Sequence, residues 1–244
     1  MPFSANSIAA NLERLRNDLH DTCARAHRDP ATVALMAVSK MHPAEAVLEA
    51  HAAGQRLFGE NRVQEFAAKL PALAILYSLS PIPCSFHLIG PLQNNKTSRA
   101  AELFQAVDTL DSLKTATRLN DAAVTLGKQI PILIEIKLSP EETKHGLAPE
   151  SLSSFLQSLI PLQNLSVTGL MTVPPWSDDP ETARPYFQHL RRLRDENLAL
   201  HPTLTELSMG MSNDFRVAIE EGATTIRLGT AIFGTRTYTT ELSS

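Results

Sequence analysis

Apolar residues recur along the chain in two alternating patterns, one with a helical period and one in short continuous runs. Five of them lie three or four positions apart near the start and predict an amphipathic first helix: Ile8, Leu12, Leu15, Leu19 and Cys23. The apolar run 33–38 is continuous rather than alternating, which indicates a strand buried on both faces. A second helix is predicted over residues 43–54, with a proline in its first turn and a glycine at its end.

The same alternation continues along the chain and predicts eight strands and eight helices in all. The further strands are predicted at 56–58, 86–89, 106–110, 132–136, 166–171, 204–208 and 225–228, and the further helices at 63–70, 96–104, 112–126, 149–159, 180–200 and 213–221. Strict alternation requires parallel strands joined by helical crossovers. In 244 residues it predicts an α/β protein built as a single (β/α)8 TIM barrel, one domain over residues 1–244. The alternative, an open doubly wound sheet, needs a glycine fingerprint after the first strand, where residues 39–42 carry none.

Composition and charge exclude several classes of protein. A formal net charge of −4 argues against nucleic-acid binding, which needs a basic face. Cys23 and Cys84 lie far apart and give no sign of a disulfide framework, and with no secretory signal they predict a cytoplasmic protein. The uncharged segment from Leu70 to Asn95 is long enough for a membrane span, but its four prolines predict an apolar loop before a buried strand. His87 is expected to be a buried, hydrogen-bonded histidine, and without any His-x-x-x-His pair no metal site is indicated.

The carboxyl ends of the last two strands carry the candidate anion site, because barrels of this kind often bind phosphate there. Ser212 precedes a predicted helix, so its hydroxyl and the N–H groups that follow can face one anion. Gly229 allows a close backbone approach, and Thr230 adds a hydroxyl. Each feature has an ordinary alternative: Ser212 as a helix N-cap, Gly229 as a turn, and Asp214 satisfying the helix dipole without a ligand.

Lys40 and Arg227 are the candidate charged groups at the same mouth. A lysine just after the first strand is expected to lose solvation, which lowers its pKa and leaves the amine nucleophilic towards carbonyls; a solvated loop lysine is the alternative. An amine that faces a phosphate site suggests an aldehyde carrying a phosphate. Arg227 lies two residues before Gly229 and so faces the same way. Its acceptor is either a barrel carboxylate, such as Glu135 or Glu206, or the ligand.

Several segments together resemble one known family. They are Ala37-Val38-Ser39-Lys40, Phe58-Gly59-Glu60-Asn61, Gly169-Leu170-Met171 and residues 87–96, 207–214 and 226–234. The pattern spans nearly the whole chain and is similar to that of the pyridoxal 5'-phosphate (PLP) homeostasis proteins.

The resemblance implies a fold, a cofactor and a set of contacts. The fold would be the barrel of the alanine racemase N-terminal domain, PLP fold type III, with PLP held as an aldimine on Lys40. The residues implied to bind PLP are Lys40, Asn61, Met171, Ser208, Ser212, Arg227, Gly229 and Thr230. Among these, Ser212, Gly229 and Thr230 would hold the phosphate, and Arg227 would pair with the pyridine nitrogen. An arginine keeps its proton, so the ring would be a weak electron sink.

The function that the resemblance implies is PLP binding and intracellular vitamin B6 homeostasis with no dedicated catalytic reaction. The protein would act as a monomer that passes PLP to apo-enzymes. Racemases of this fold take a second acid/base from a C-terminal domain, and since Ser244 comes fifteen residues after Gly229, no such domain is expected. Two alternatives stay open: a PLP-dependent racemase-like enzyme acting on amino acids, and a Schiff-base aldolase acting on a phosphosugar, which would lack the colour of PLP.

Overall fold

Eight parallel strands close into one barrel in the computed structural model, which describes residues 7–74, 84–139, 141 and 145–234. The strands follow one another around the barrel in chain order, and the last pairs with the first. They are β1 Ala34–Val38, β2 Leu57–Glu60, β3 Ser85–Leu88, β4 Ala106–Leu110, β5 Ile130–Glu135, β6 Leu165–Met171, β7 Glu206–Ser208 and β8 Thr225–Leu228. Because all eight strands are parallel, their carboxyl ends meet at one mouth.

Nine α-helices surround the barrel in the described part of the chain. They are α1 Ile8–Arg25, α2 Ala44–Ala52, α3 Val63–Leu73, α4 Thr97–Leu103, α5 Leu113–Thr125, α6 Leu152–Leu159, α7 Arg184–Leu198, α8 Phe215–Glu220 and α9 Thr230–Phe233. Short 3-10 turns lie at Pro30–Thr32, Asn94–Lys96, Pro149–Ser151 and Pro180–Ala183. Within the described ranges, none of the helices combines the length and apolar character that crossing a membrane requires.

The main apolar core lies between the strands and the helices that cover them. Phe58 of β2 and Phe86 of β3 stack with ring centroids 5.2 Å apart. Phe66 of α3 lies against Phe86 at 4.7 Å and against Phe104 at 4.8 Å. All four side chains are almost fully buried. This layer fixes α3 against the strands, and so fixes the positions of the polar side chains that α3 carries towards the mouth.

The predicted barrel is confirmed, and the differences lie at the ends of elements. The second strand continues to Glu60, so Gly59 lies inside β2 rather than after it. The helix after β7 begins at Phe215 rather than at Asn213, because the turn before it is closed by Asp214. Helix α9, which follows β8 directly, was not predicted.

The uncharged segment after α3 is only partly described. Helix α3 was predicted to end at Leu70, but it passes Pro71 and ends at Leu73. Pro71 lacks an N–H, and since it lies near the end of the helix the lost hydrogen bond affects only the last turn. The predicted apolar loop falls mostly on residues 75–83, which lie outside the described residues.

Candidate functional site

A cavity of about 510 Å³ opens at the carboxyl ends of the strands. Six of the predicted site residues line it: Lys40, Asn61, Ser212, Arg227, Gly229 and Thr230. They come from four separate strand ends, so only the closed barrel brings them together. Met171 and Ser208 are also buried at this end, but neither lines the cavity as the structure describes it.

Lys40 lies in a tight turn that follows β1. The His42 N–H donates to the Ser39 carbonyl oxygen at 3.1 Å and closes the turn over Lys40 and Met41. Met41 has a φ of 62°, in the left-handed region where this turn position usually carries glycine or asparagine. The ring of His42 stacks on that of Phe233 in α9, with centroids 4.8 Å apart. The lysine therefore projects from a strained turn with fixed neighbours on both sides.

A partly buried ionic cluster lies beneath this turn. The ammonium of Lys69, in α3, donates to the Ser39 carbonyl oxygen at 3.0 Å, to Glu60 Oε1 at 2.9 Å and to Glu65 Oε1 at 2.9 Å. The Ser39 hydroxyl donates to the same Glu60 oxygen at 2.8 Å, and the Met41 N–H donates to Glu65 Oε1. The side chain of Glu60 is fully buried and that of Lys69 is 10% exposed. Three N–H groups of one ammonium thus satisfy three separate acceptors.

Burial and hydrogen bonding shift the pKa values of the two carboxylates in opposite directions. Burial raises the pKa of Glu60, although Lys69 and Ser39 oppose the shift. Burial acts in the same direction on Glu65, but the hydrogen bonds from Lys69 and Met41 outweigh it and lower the pKa of Glu65. Glu65 is therefore the carboxylate that stays ionised to lower pH.

The loops after β7 and β8 form the opposite side of the cavity. Gly210 has a φ of 95°, and a Cβ there would lie 2.5 Å from that of Ala218, so only glycine fits. The Ser212 hydroxyl accepts a hydrogen bond from the Ala231 N–H of α9 at 3.3 Å, which links the two loops. The alternative role of Ser212 as a helix N-cap is excluded, because α8 starts later and Asp214 occupies that position. Asp214 Oδ1 accepts instead from the Met211 N–H at 2.5 Å.

Arg227 lies at the floor of the cavity with its guanidinium largely buried. It donates to Ser208 Oγ at 2.7 Å and to the Thr172 carbonyl oxygen at 2.8 Å. Burial lowers its pKa, while the charges of Asp108, Asp214 and Glu135 oppose the shift. No carboxylate forms an ion pair with it in the described part of the chain, so the alternative of Glu135 or Glu206 as its acceptor does not hold there. Two of its five N–H groups have these partners, and the side chain also lines the cavity.

Deeper in the barrel, ionisable side chains from four strands replace the usual apolar filling. His87 Nδ1 lies 3.1 Å from Asp108 Oδ1, which confirms the expected hydrogen bond, but the His87 side chain is 22% exposed rather than buried. Burial alone would lower the pKa of His87, but Asp108 and Glu206 together raise it. Burial also raises the pKa of Glu206 and of Glu135. Asp108 Oδ2 is buried without a hydrogen-bond partner in the described structure. Over the described ranges, no group of three or more potential metal ligands is present.

Sequence reasoning missed two features of the site. The loop after β6 lines the cavity with Val173, Pro175 and Trp176, and the Trp176 side chain is 73% exposed. Asn213 Nδ2 donates to the Ser177 carbonyl oxygen at 2.8 Å, which holds that loop in place. A tryptophan in the loop after a predicted barrel strand was the available signal. The cluster around Lys69 was also missed, and its signal was the i,i+4 spacing from Glu65 to Lys69.

Comparison with known proteins gives matches over almost the whole chain. A family model described as alanine racemase, N-terminal domain, matches residues 5–237. The pyridoxal phosphate homeostasis protein of Pseudomonas aeruginosa is 44% identical over 235 residues, which cover 96% of this chain and 97% of that protein. The protein of the same name from Escherichia coli is 39% identical over 236 residues, 96% of this chain and 98% of that protein.

Solved structures agree with these matches. PipY of Synechococcus elongatus, solved with PLP bound, is 40% identical and superposes with a TM-score of 0.82, covering 93% of this chain and all of that one. Alanine racemase of Clostridium difficile superposes with a TM-score of 0.72 at 15% identity, covering 95% of this chain and 57% of that one, which shows a shared fold. The expected alanine racemase-type barrel and the resemblance drawn from the sequence motifs are both confirmed.

Proposed function

Because the chain belongs to the family of pyridoxal phosphate homeostasis proteins, we propose that it binds PLP at the barrel mouth and serves the supply of PLP in the cell. The observation that carries this proposal is the placing of Lys40 on one cavity with Ser212, Gly229 and Thr230. The amine on one side of the cavity matches the aldehyde of PLP, and the hydroxyl and main-chain groups on the other side match its phosphate.

The cavity residues fit PLP in three respects. Gly229 has no side chain, and a Cβ there would lie 3.4 Å from the Val38 carbonyl oxygen on the cavity wall. The hydroxyls of Ser212 and Thr230 lie beside this glycine at the ends of β7 and β8. Arg227 retains N–H groups beyond the two that bind Ser208 and Thr172, so it can donate to the pyridine nitrogen. Asn61 would lie near the ring. Ser208 and Met171 are buried and do not line the described cavity, so they would support the residues that do.

Lys40 is the proposed covalent attachment point. The neutral amine attacks the aldehyde carbon, a carbon–nitrogen double bond forms, and the aldehyde oxygen leaves as water. PLP itself supplies an aldehyde that forms such imines reversibly with amines. Reversible attachment lets one site both store and release it.

The relatives in this family are named as homeostasis proteins rather than as enzymes. We propose that this chain likewise has no dedicated reaction, that its single barrel is the binding unit, and that it passes PLP to apo-enzymes as a cytoplasmic monomer. Arg227 supports the absence of strong carbanion chemistry, because a guanidinium that stays protonated cannot protonate the ring nitrogen. The free, buried thiols of Cys23 and Cys84 are compatible with a reducing compartment.

Replacement of Lys40 by alanine tests the attachment. We expect purified protein mixed with PLP to show the visible absorbance of an imine and to be trapped by borohydride, and Lys40→Ala to lose both. Lys114→Ala, at an exposed lysine of α5, is the matched control and should keep both. Retention of trapping in Lys40→Ala would show that another lysine is the attachment point. Steady turnover of an amino acid that is lost in Lys40→Ala would favour the racemase-like alternative.

A further inference from the structure

The cluster beneath the Lys40 turn contacts that turn on both sides of the lysine. Lys69 binds the carbonyl oxygen of Ser39, the residue before Lys40, at 3.0 Å. Glu65, which Lys69 binds at 2.9 Å, accepts the N–H of Met41, the residue after it. The ammonium of Lys69 thus holds the main chain on both sides of Lys40. It binds Ser39 directly, and it reaches Met41 through Glu65.

We propose that Lys69 is a positioning residue that fixes the amine of Lys40 over the cavity. This inference rests on the proposed PLP-binding function. Lys69 does not itself line the cavity in the described structure, so it acts through the turn.

The geometry of the turn explains why such a support is needed. Met41 has a φ of 62°, which is unfavourable for a residue with a side chain, so the turn relaxes to another conformation unless contacts hold it. Loss of the Glu65 acceptor would leave the Met41 N–H without this partner and release the strain. Relaxation moves the root of the Lys40 side chain, and the loops after β7 and β8 stay where they are, because other contacts hold them.

The cluster is built on rigid elements, as a positioning device requires. Glu60 is the last residue of β2, and its buried carboxylate accepts from both Lys69 and the Ser39 hydroxyl. Glu65 and Lys69 lie one turn apart on α3, in the favourable order with the acid nearer the amino terminus. The aromatic layer beneath α3 holds the helix against β2 and β3. The ammonium therefore has a fixed position relative to the barrel.

The test uses Lys69→Met and Glu65→Ala in the full chain. Matched controls are Lys114→Met, an exposed lysine, and Glu45→Ala, an exposed first-turn glutamate of α2. Three quantities are measured: the rate of imine formation with PLP, the affinity for pyridoxine 5'-phosphate, which has the phosphate but no aldehyde, and amide hydrogen exchange of residues 39–42 in the protein without ligand. We expect both cluster variants to slow imine formation by about tenfold or more. They should also speed exchange in the turn and leave the pyridoxine 5'-phosphate affinity within about twofold.

Unchanged imine formation and unchanged exchange in both variants would overturn the proposal. A parallel loss of pyridoxine 5'-phosphate affinity would overturn it too, because the cluster would then support the whole site rather than Lys40. Should Lys69→Met fail to fold, Glu65→Ala decides, since the Glu65 side chain is 24% exposed and its loss leaves no buried charge unpaired on Glu60. If the unsubstituted protein forms no imine, the proposed function fails, while the exchange measurement still reports whether the cluster holds the turn.

Discussion

At the residue scale, alanine substitutions at two glycines in the loops after β7 and β8 are expected to have different effects on stability. A Cβ on Gly210 would lie 2.5 Å from that of Ala218, at a φ of 95° that alanine rarely adopts. We therefore expect Gly210→Ala to lower the free energy of unfolding by about 3 kcal/mol. A Cβ on Gly229 meets Val38 atoms at 3.4 Å or more, an ordinary contact, so Gly229→Ala should stay within about 1 kcal/mol of the parent.

The binding of Gly229→Ala distinguishes the two roles of that glycine. If its missing side chain makes room for phosphate, Gly229→Ala should fold normally and weaken pyridoxine 5'-phosphate binding by about tenfold. Urea unfolding and a calorimetric titration measure the two quantities on the same sample. Normal affinity in a normally folded variant would show that Gly229 serves only the turn into α9.

At the element scale, helix α1 fixes the helix that starts at the cavity. Asn11 Nδ2 donates to the Ile232 carbonyl oxygen of α9 at 2.9 Å, in a buried position. Asn11→Ala leaves that carbonyl without its donor, so we expect the free energy of unfolding to fall by about 1.5 kcal/mol. Asn17→Ala, at an exposed position of the same helix, has the same effect on helix propensity, and within the described residues Asn17 has no buried partner to lose. Equal stability losses in a urea titration would assign the effect to α1 alone.

Hydrophobic periodicity predicted the elements well and their ends poorly, for a physical reason. The pattern records which side chains are buried, but a helix begins where its first N–H groups find an acceptor. Ser212 and Asp214 were both suitable acceptors before α8, and the sequence did not distinguish them. Only the folded loop shows that Asp214 binds the Met211 N–H while Ser212 accepts from Ala231. Helix α9 was missed because a four-residue helix is too short to show a period.

At the scale of the whole molecule, the order of the strands along the chain predicted which residues meet at the mouth of the barrel. It did not predict which side chains contact one another in the interior. Parallel strands in sequence order bring Lys40, Ser212 and Gly229 together without any knowledge of side-chain contacts. Contacts such as His87 with Asp108, or Lys69 with Glu60, depend on which face of a strand or helix each residue occupies. That information lies in the register between elements, which one sequence does not give.

The polar interior makes a prediction for the pH dependence of stability. Asp108 and Glu206 raise the pKa of His87, so the folded protein holds that proton at a pH where the unfolded chain has lost it. The stabilisation is complete below the unfolded value of about 6.5 and is lost as the pH rises through the raised pKa. We expect the free energy of unfolding to fall as the pH rises above about 6.5.

Two histidine variants isolate this contribution. His87→Gln should remove the fall above about pH 6.5. His51 is the contrast, because burial lowers its pKa and its Nε2 has no hydrogen-bond partner in the described structure. His51 therefore favours the folded state when neutral, and its contribution is lost as the pH falls below about 6.5, so His51→Gln should change only the acid side. The half-buried Glu135 and Glu206 have raised pKa values and act in the same direction as His87, but their effect begins near about pH 4.5. A His87→Gln profile that still falls above neutrality would show that the barrel interior titrates through its carboxylates instead.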